Sequence, residues 1–337
     1  MKLLEVDDLK VHFRGRGGSM FKPAPVIRAV DGVSFSVERG KTLALVGESG
    51  SGKSTTALAV ARLAQATAGT VRLGGRDLTL MSGDTLRHAR RRVQMVFQDP
   101  YSALNPRQRA GDAVRAPLDL MDVGEASQRD ARVAELFEAV GLRPEQRHLF
   151  PHQFSGGQRQ RINIARALAS EPDLVICDEP VSALDIAVRA QTLNLLRRLQ
   201  QQRGISYLFI SHDMSVVEYL CDEVAVLYLG QIVERAPREA FFAQPLHPYS
   251  VALSSAVPTV RGGRARAAQR IRLEGDPPSP LNPPPGCRFA TRCPVAEARC
   301  HTEPPALREI AGGRAVRCHL VTTRDGASVA PLPMPVI

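Results

Sequence analysis

The chain has no tryptophan, five tyrosines, and only five lysines among its 44 basic residues. With aromatics at 5%, platforms on which bases could stack are scarce. The charge balance, 44 − 34 = +10, is carried almost wholly by arginine, spread along the chain with no basic arm. That distribution reads as residue usage rather than a phosphate-backbone footprint, so nucleic acid is not an expected partner. There is no run of about 18 apolar residues, so nothing here is expected to span a bilayer as a helix. The first residues, MKLLEVDDLKVHF, meet acids too early to form a signal core. The cytoplasm is the expected compartment, where structural disulfides are not expected for the six cysteines. No internal repeat of about 20–50 residues stands out.

What is present is ordinary globular composition, 44% hydrophobic and 23% charged over 337 residues. Residues 1–98 read as short β-rich runs, LLEVDDLKVHF, VDGVSFSV, TLALVG and VQMVF, with one helix. A Gly/Pro segment, RGRGGSMFKPAP, separates the first two. Residues 99–160 change character, and ASQRDARVAELFEAVGL has its apolar positions at helical spacing. From 161 to about 238 strands and helices alternate, which predicts a mostly parallel sheet covered by helices. Between Pro277 and Pro305 nine prolines fall in 29 residues, which predicts a loop-rich extension without helix or central strand.

Gly47-Glu48-Ser49-Gly50-Ser51-Gly52-Lys53-Ser54 follows the strand TLALV and opens the helix TTALAVARL. This is a phosphate loop in its required strand–loop–helix context. Its glycines let backbone N–H groups turn toward phosphate oxygens, and the helix N-terminus adds its positive end. Lys53 reaches the β- and γ-phosphates, Ser54 can hold Mg²⁺, and Thr55 continues the first turn. The apolar run Leu174-Val175-Ile176-Cys177 ends in Asp178 and Glu179. Asp178 is placed to hold the metal and Glu179 to polarise an attacking water. Ser155-Gly156-Gly157-Gln158 opens another helix, and its local sequence fits equally an ordinary serine N-cap or a second anion-binding turn, which would be one more than a single nucleotide needs. Gln98, Asp185 and His212 each follow or end a predicted strand or the acid pair.

In this order the motifs resemble the ATP-binding cassette ATPases over about residues 1–238. They are the Walker A loop GESGSGKST, the glutamine loop at Gln98, FSGGQRQR at the signature, the Walker B strand LVICDEP, the SALD loop and the histidine of SHD. Phe154 stands where the family usually has leucine. The resemblance implies an α/β P-loop fold: a RecA-like core with an antiparallel β subdomain and a helical subdomain at about 99–160. It also implies that two such domains sandwich two ATP molecules head to tail. Ser155, Gly156, Gly157 and Gln158 would then serve the partner's nucleotide, with Asp185 in the adjoining loop. Glu179 would be the base, His212 the γ-phosphate contact and Gln98 a contact to metal and water. Phe13 matches the adenine-stacking aromatic, with Phe21 a weaker candidate.

A narrower resemblance, in VFQDPYSALNPR, LHPYS and GCRFATRCPVAEARC, is to the ATPase subunits of oligopeptide and dipeptide importers, nearest the second of the two that such importers carry. It implies a second ATPase subunit, two transmembrane permeases, an extracytoplasmic solute-binding protein, and a place on the cytoplasmic face of the membrane. Relatives of this kind also move nickel, opines, glutathione or sugars, and soluble cassette ATPases are a more distant alternative.

The segment 239–337 carries Cys287, Cys293, Cys300 and Cys318 within 32 residues. Four thiols in a proline-rich, core-poor stretch point to a metal centre, since ligation supplies folding energy that a small core lacks. The spacing fits neither the usual zinc ribbon nor the common ferredoxin patterns. The importer resemblance implies [4Fe–4S], with Zn²⁺ the alternative and His301 and His319 as substitute ligands. Lying outside the cassette, such a centre is expected to be structural.

Overall fold

The computed structural model describes residues 1–15, 24–255, 271, 273–324 and 327–332. Its centre is an eight-stranded sheet flanked on one face by helices and on the other by a four-stranded antiparallel sheet, with the helix Lys53–Val60 packed on this second face. The large sheet contains β3 (Thr42–Val46), β6 (Val93–Val96), β7 (Leu174–Asp178), β8 (Ser206–Ser211), β9 (Glu223–Tyr228) and β10 (Gln231–Pro237). Late in the chain it gains β11 (Arg308–Ile310) and β12 (Arg314–Val316). The order is β11-β12-β10-β9-β3-β8-β7-β6, with β9, β3, β8, β7 and β6 parallel.

Strand periodicity explains the two cores. Along β3, Ala44 and Val46 face the helices while Leu43 and Leu45 face the small sheet; Val175 and Cys177 against Leu174 and Ile176 repeat the division along β7. A strand buried on both faces needs apolar residues at every position, and β3 and β7 supply them. The small sheet is β2-β1-β4-β5, from β1 (Lys2–Arg14), β2 (Val26–Glu38), β4 (Ala68–Leu73) and β5 (Arg76–Asp77). Its buried positions alternate within short stretches, as expected for a sheet with one solvated face, and shift phase where the β1–β2 register is irregular, as between Val6 and Leu9.

The helices are α1 (Lys53–Val60), α2 (Gly83–Arg91), α3 (Ala110–Leu120), α4 (Arg129–Ala139), α5 (Gly156–Leu168), α6 (Ile186–Arg203), α7 (Met214–Leu220), α8 (Arg238–Ala243), α9 (Pro248–Ser255) and α10 (Ala298–Thr302). Three of them correct the sequence reading. Residues 1–98 hold α2 as well as α1. Its sequence, GDTLRHARR, has no apolar stripe and buries no residue, so periodicity gives no sign of it. In segment 99–160 the structure adds α3, where Pro117 sits inside the helix and masks the periodicity. α10 lies inside the proline-rich stretch, in the proline-free gap between Pro294 and Pro304, beside a short 3₁₀ turn at Ala290–Arg292.

The C-terminal segment does not hang free of the core. β12 pairs antiparallel with β10, Glu234 opposite Val316. The buried Arg314 donates to Glu234 Oε1 at 3.0 Å, and Glu234 also accepts from the Leu246 and His247 amides. A fully buried carboxylate is tolerable only when paired and hydrogen-bonded in this way.

Candidate functional site

Four neighbouring parallel strands, β3, β8, β7 and β6, end at one edge of the large sheet. The carboxyl edge of a parallel sheet is where ligands bind in α/β folds. β3 leads to the phosphate loop, β8 to His212, β7 to Asp178 and Glu179, and β6 to Gln98. Ser49, Gly50, Gly52, Lys53, Ser54, Thr55, Gln98, Glu179 and His212, with Ala29 of β2, line one open cleft of about 550 Å³.

Glycine is required at both ends of the loop. A Cβ on Gly47 would stand 2.2 Å from the Leu227 carbonyl oxygen, and one on Gly52 2.3 Å from that of Ala29. Lys53 Nζ donates to the carbonyls of Gly47 and Glu48 at 2.9 and 2.8 Å. Burial pushes its pKa down against the pull of Glu179, Asp178 and Glu48. The ammonium thus stays close to the loop it would use to hold phosphate. Ser54 Oγ donates to Asp178 Oδ1 at 3.1 Å, and burial raises the Asp178 carboxyl. A hydroxyl in the first turn of α1 and a carboxylate at the end of β7 are a hard-oxygen pair suited to Mg²⁺.

Glu179 has φ +46°, a left-handed conformation unusual for a non-glycine residue, and its amide donates to the Ile210 carbonyl of β8. The turn delivers its carboxylate to two partners. Gln98 Nε2 donates to Oε2 at 3.0 Å, and His212 Nδ1 lies 3.1 Å from Oε1. A carboxylate in contact with both can orient a water and take its proton.

The other expected nucleotide contacts stand elsewhere. Ser155 caps α5, its hydroxyl accepting from the Gln158 amide while Gln158 Oε1 accepts from the Ser155 amide. Asp185 caps α6 in one direction only, its carboxylate accepting from the Val188 amide. Neither these residues nor Gly156 and Gly157 line the phosphate-loop cleft. Arg159 of α5 stacks 4.3 Å over the Tyr101 ring, joining the loop after Gln98 to the start of this helix. Phe13 is exposed near the end of β1 and also stands outside the cleft lining; Phe21 lies outside the described residues.

The four late cysteines converge. Cys287 donates its amide to the Cys300 carbonyl at 2.7 Å. Burial pushes the Cys293 thiol up to about 11, with Cys318, Cys287 and Cys300 each adding to the rise. The Cys287 and Cys318 thiols are likewise raised by burial. All are free thiols, and among the described residues no three His, Cys, Asp or Glu side chains form a group able to hold a metal ion.

Sequence reasoning missed the second layer around the phosphate loop. Arg292 holds the Glu48 carboxylate with both arms of its guanidinium, and the Tyr249 hydroxyl accepts from the Glu48 amide at 2.8 Å. Arg288 bonds Asp31 and the Leu229 carbonyl. These partners lie some two hundred residues from the loop in sequence, and nothing in local spacing announces them.

A phosphate loop, two acids, a glutamine and a histidine on the ends of four parallel strands, with a helical insertion carrying a second glycine turn, define a cassette-type ATPase. Residues 30–182 match the ABC transporter family and residues 233–300 the oligopeptide/dipeptide transporter C-terminal region. The chain is 49% identical to the "Probable peptide ABC transporter ATP-binding protein y4tS" of Sinorhizobium fredii, over 98% of this chain and 93% of that one. It is 47% identical to the dipeptide transport ATP-binding protein DppF of Escherichia coli, over 95% and 94%. A solved dimeric ATP-binding cassette, in a post-hydrolysis state with ADP and Pi, matches with TM-score 0.62 and 27% identity over 70% of this chain and 99% of that one. The chain therefore belongs to the ABC transporter ATPases, in the group that carries the oligopeptide/dipeptide transporter C-terminal region. Among the described residues no helix is long and apolar enough to cross a membrane.

Proposed function

We propose that this ATPase powers an importer for di- and oligopeptides, paired with a second ATPase subunit and docked on two permeases that receive solute from an extracytoplasmic binding protein. The observation that carries the ATP chemistry is the convergence of Lys53, Ser54, Gln98, Glu179 and His212 on one cleft while Ser155–Gln158 stand off it. A chain whose signature turn does not face its own phosphate loop calls for a partner's turn to complete each site. The peptide reading is supported by the names of the relatives and by the C-terminal region match.

In the proposed reaction the loop amides, the α1 N-terminus and Lys53 bind the phosphates. Glu179 takes the proton of the attacking water, oriented by Gln98, and His212 contacts the γ-phosphate while steadying Glu179. Ser54, Gln98 and Asp178 would hold Mg²⁺, which supplies neutralising charge. Phe13 would stack on adenine. Ser155, Gly156, Gly157 and Gln158, with Asp185 beside them, would close over the partner's nucleotide. The working division is a cassette over 1–238, with its helical subdomain at about 99–160 meeting the permeases at the cytoplasmic face, and an extension over 239–337. Cys287, Cys293, Cys300 and Cys318 would hold a [4Fe–4S] cluster. Their soft donor chemistry suits thiolate-bound iron, and Cys318, Cys287 and Cys300 each add to the rise of the Cys293 thiol.

The test is transport. Vesicles containing the two permeases, both ATPases and the binding protein should take up labelled di- and oligopeptides only with ATP. Uptake of nickel or a sugar with no peptide uptake would overturn the peptide assignment.

A further inference from the structure

The Cys287–Cys293 loop reads Cys-Arg-Phe-Ala-Thr-Arg-Cys, and its two arginines reach into the cassette. Arg292 Nη1 and Nη2 donate to Glu48 Oε2 and Oε1 at 2.7 and 3.1 Å, a forked, charge-assisted pair. The Arg292 side chain is 6% exposed and Glu48 31%. Arg292 Nη1 also lies 3.4 Å from the Tyr228 hydroxyl, and Tyr228 packs edge-on against Tyr249 and Phe289, so aromatic rings from β9, α9 and this loop set the arginine's position. Glu48 is the first residue after Gly47 in the phosphate loop, and its own carbonyl accepts from Lys53.

A carboxylate at this place is a hazard for a triphosphate site. Its charge acts on Lys53, the cation expected to meet the β- and γ-phosphates. Left free, it would compete with phosphate for that ammonium and repel the anion. Held by a guanidinium on the outer side of the loop, it is neutralised and fixed.

We infer that Arg292 is a positioning residue for ATP: by clamping Glu48 from outside the phosphate loop it keeps that carboxylate off Lys53, so that nucleotide affinity depends on the C-terminal extension. This rests on the ATP site described above. Arg288 acts beside it, bonding Asp31 and the Leu229 carbonyl. Asp31 in turn donates its amide to Gly230, and Gly230 donates to the Ser51 carbonyl of the loop. Two adjacent supports from one segment end on one functional loop.

The experiment is binding of a fluorescent ATP analogue to the full chain, with a thermal melt of each variant taken without nucleotide. Arg292→Gln should raise Kd about tenfold, corresponding to about 1.4 kcal/mol. Arg292→Gln with Glu48→Gln should return Kd to within about threefold of wild type, because the charge needing restraint is gone. Arg292→Lys, which keeps the charge but not the fork, should fall between, and it carries the test if Arg292→Gln does not fold. An unchanged Kd in a folded Arg292→Gln or Arg292→Lys overturns the inference. So does a loss that Glu48→Gln fails to repair, which would make Arg292 a packing residue only. Failure of the wild-type chain to bind the analogue would instead remove the ATP site itself.

Discussion

Glu179 shows how much chemistry one residue's backbone can decide. Its left-handed φ and the hydrogen bond from its backbone N–H to the Ile210 carbonyl put the carboxylate between Gln98 and His212. Exchange for glutamine keeps the shape and both neighbours but removes the basic oxygen. Glu179→Gln should therefore bind the ATP analogue with wild-type affinity and lose turnover by about 10²–10⁴-fold, the usual range for a general base. Steady-state phosphate release on the assembled pair checks this. A variant hydrolysing at near wild-type rate would assign the base elsewhere. The acid pair was legible in sequence, because an apolar run ending in Asp-Glu predicts a strand edge. The strained turn was not, because φ at one residue leaves no trace in composition.

At the scale of elements, α5 is the informative case. Ser155 and Gln158 form a reciprocal cap that satisfies two amides at the helix start. The local reading left a cap and an anion site both open, and the structure contains the cap. The two roles are compatible, since a capped turn still presents backbone N–H groups outward. Ser155→Arg should cost about 1 kcal/mol of helix stability through the lost cap. It should leave ATP binding to the isolated chain unchanged while cutting ATPase activity of the assembled complex at least about tenfold. Loss of affinity in the isolated chain would refute a turn that serves the partner. α2 and α3 mark the limit of pattern reading: a helix that buries nothing, or that carries an internal proline, has no apolar period to detect.

For the whole molecule, the surprise is the path of the chain's last hundred residues. β11 and β12 extend the large sheet, and the Cys287–Cys293 loop lies against the phosphate loop. An extension standing apart from the cassette would leave ATP binding untouched when its cysteines are altered. The Arg292 contact reverses that expectation. Anaerobically purified protein should be brown with iron bound. Cys293→Ser should bleach it and, by loosening the loop that aims Arg292, also raise the Kd for the ATP analogue. A colourless anaerobic preparation with one zinc per chain would select the other metal, and bleaching without any change in Kd would separate the cysteines from the ATP site.

Local chemistry is legible from the order of residues alone. The phosphate loop, the acid pair and the Ser-Gly-Gly turn each lie within a few consecutive residues, where strand-to-helix geometry is dictated by neighbours in the chain. That order also determined the two-faced burial of β3 and β7, since continuous apolar runs have no other stable use in a sheet. What meets across the fold depends on how the elements pack. Strand order set Lys53, His212, Glu179 and Gln98 side by side. Folding back of the C-terminal segment set Arg292 on Glu48, 244 residues away. Such contacts come from the summed burial of many side chains and not from any one, so no short stretch of sequence specifies them.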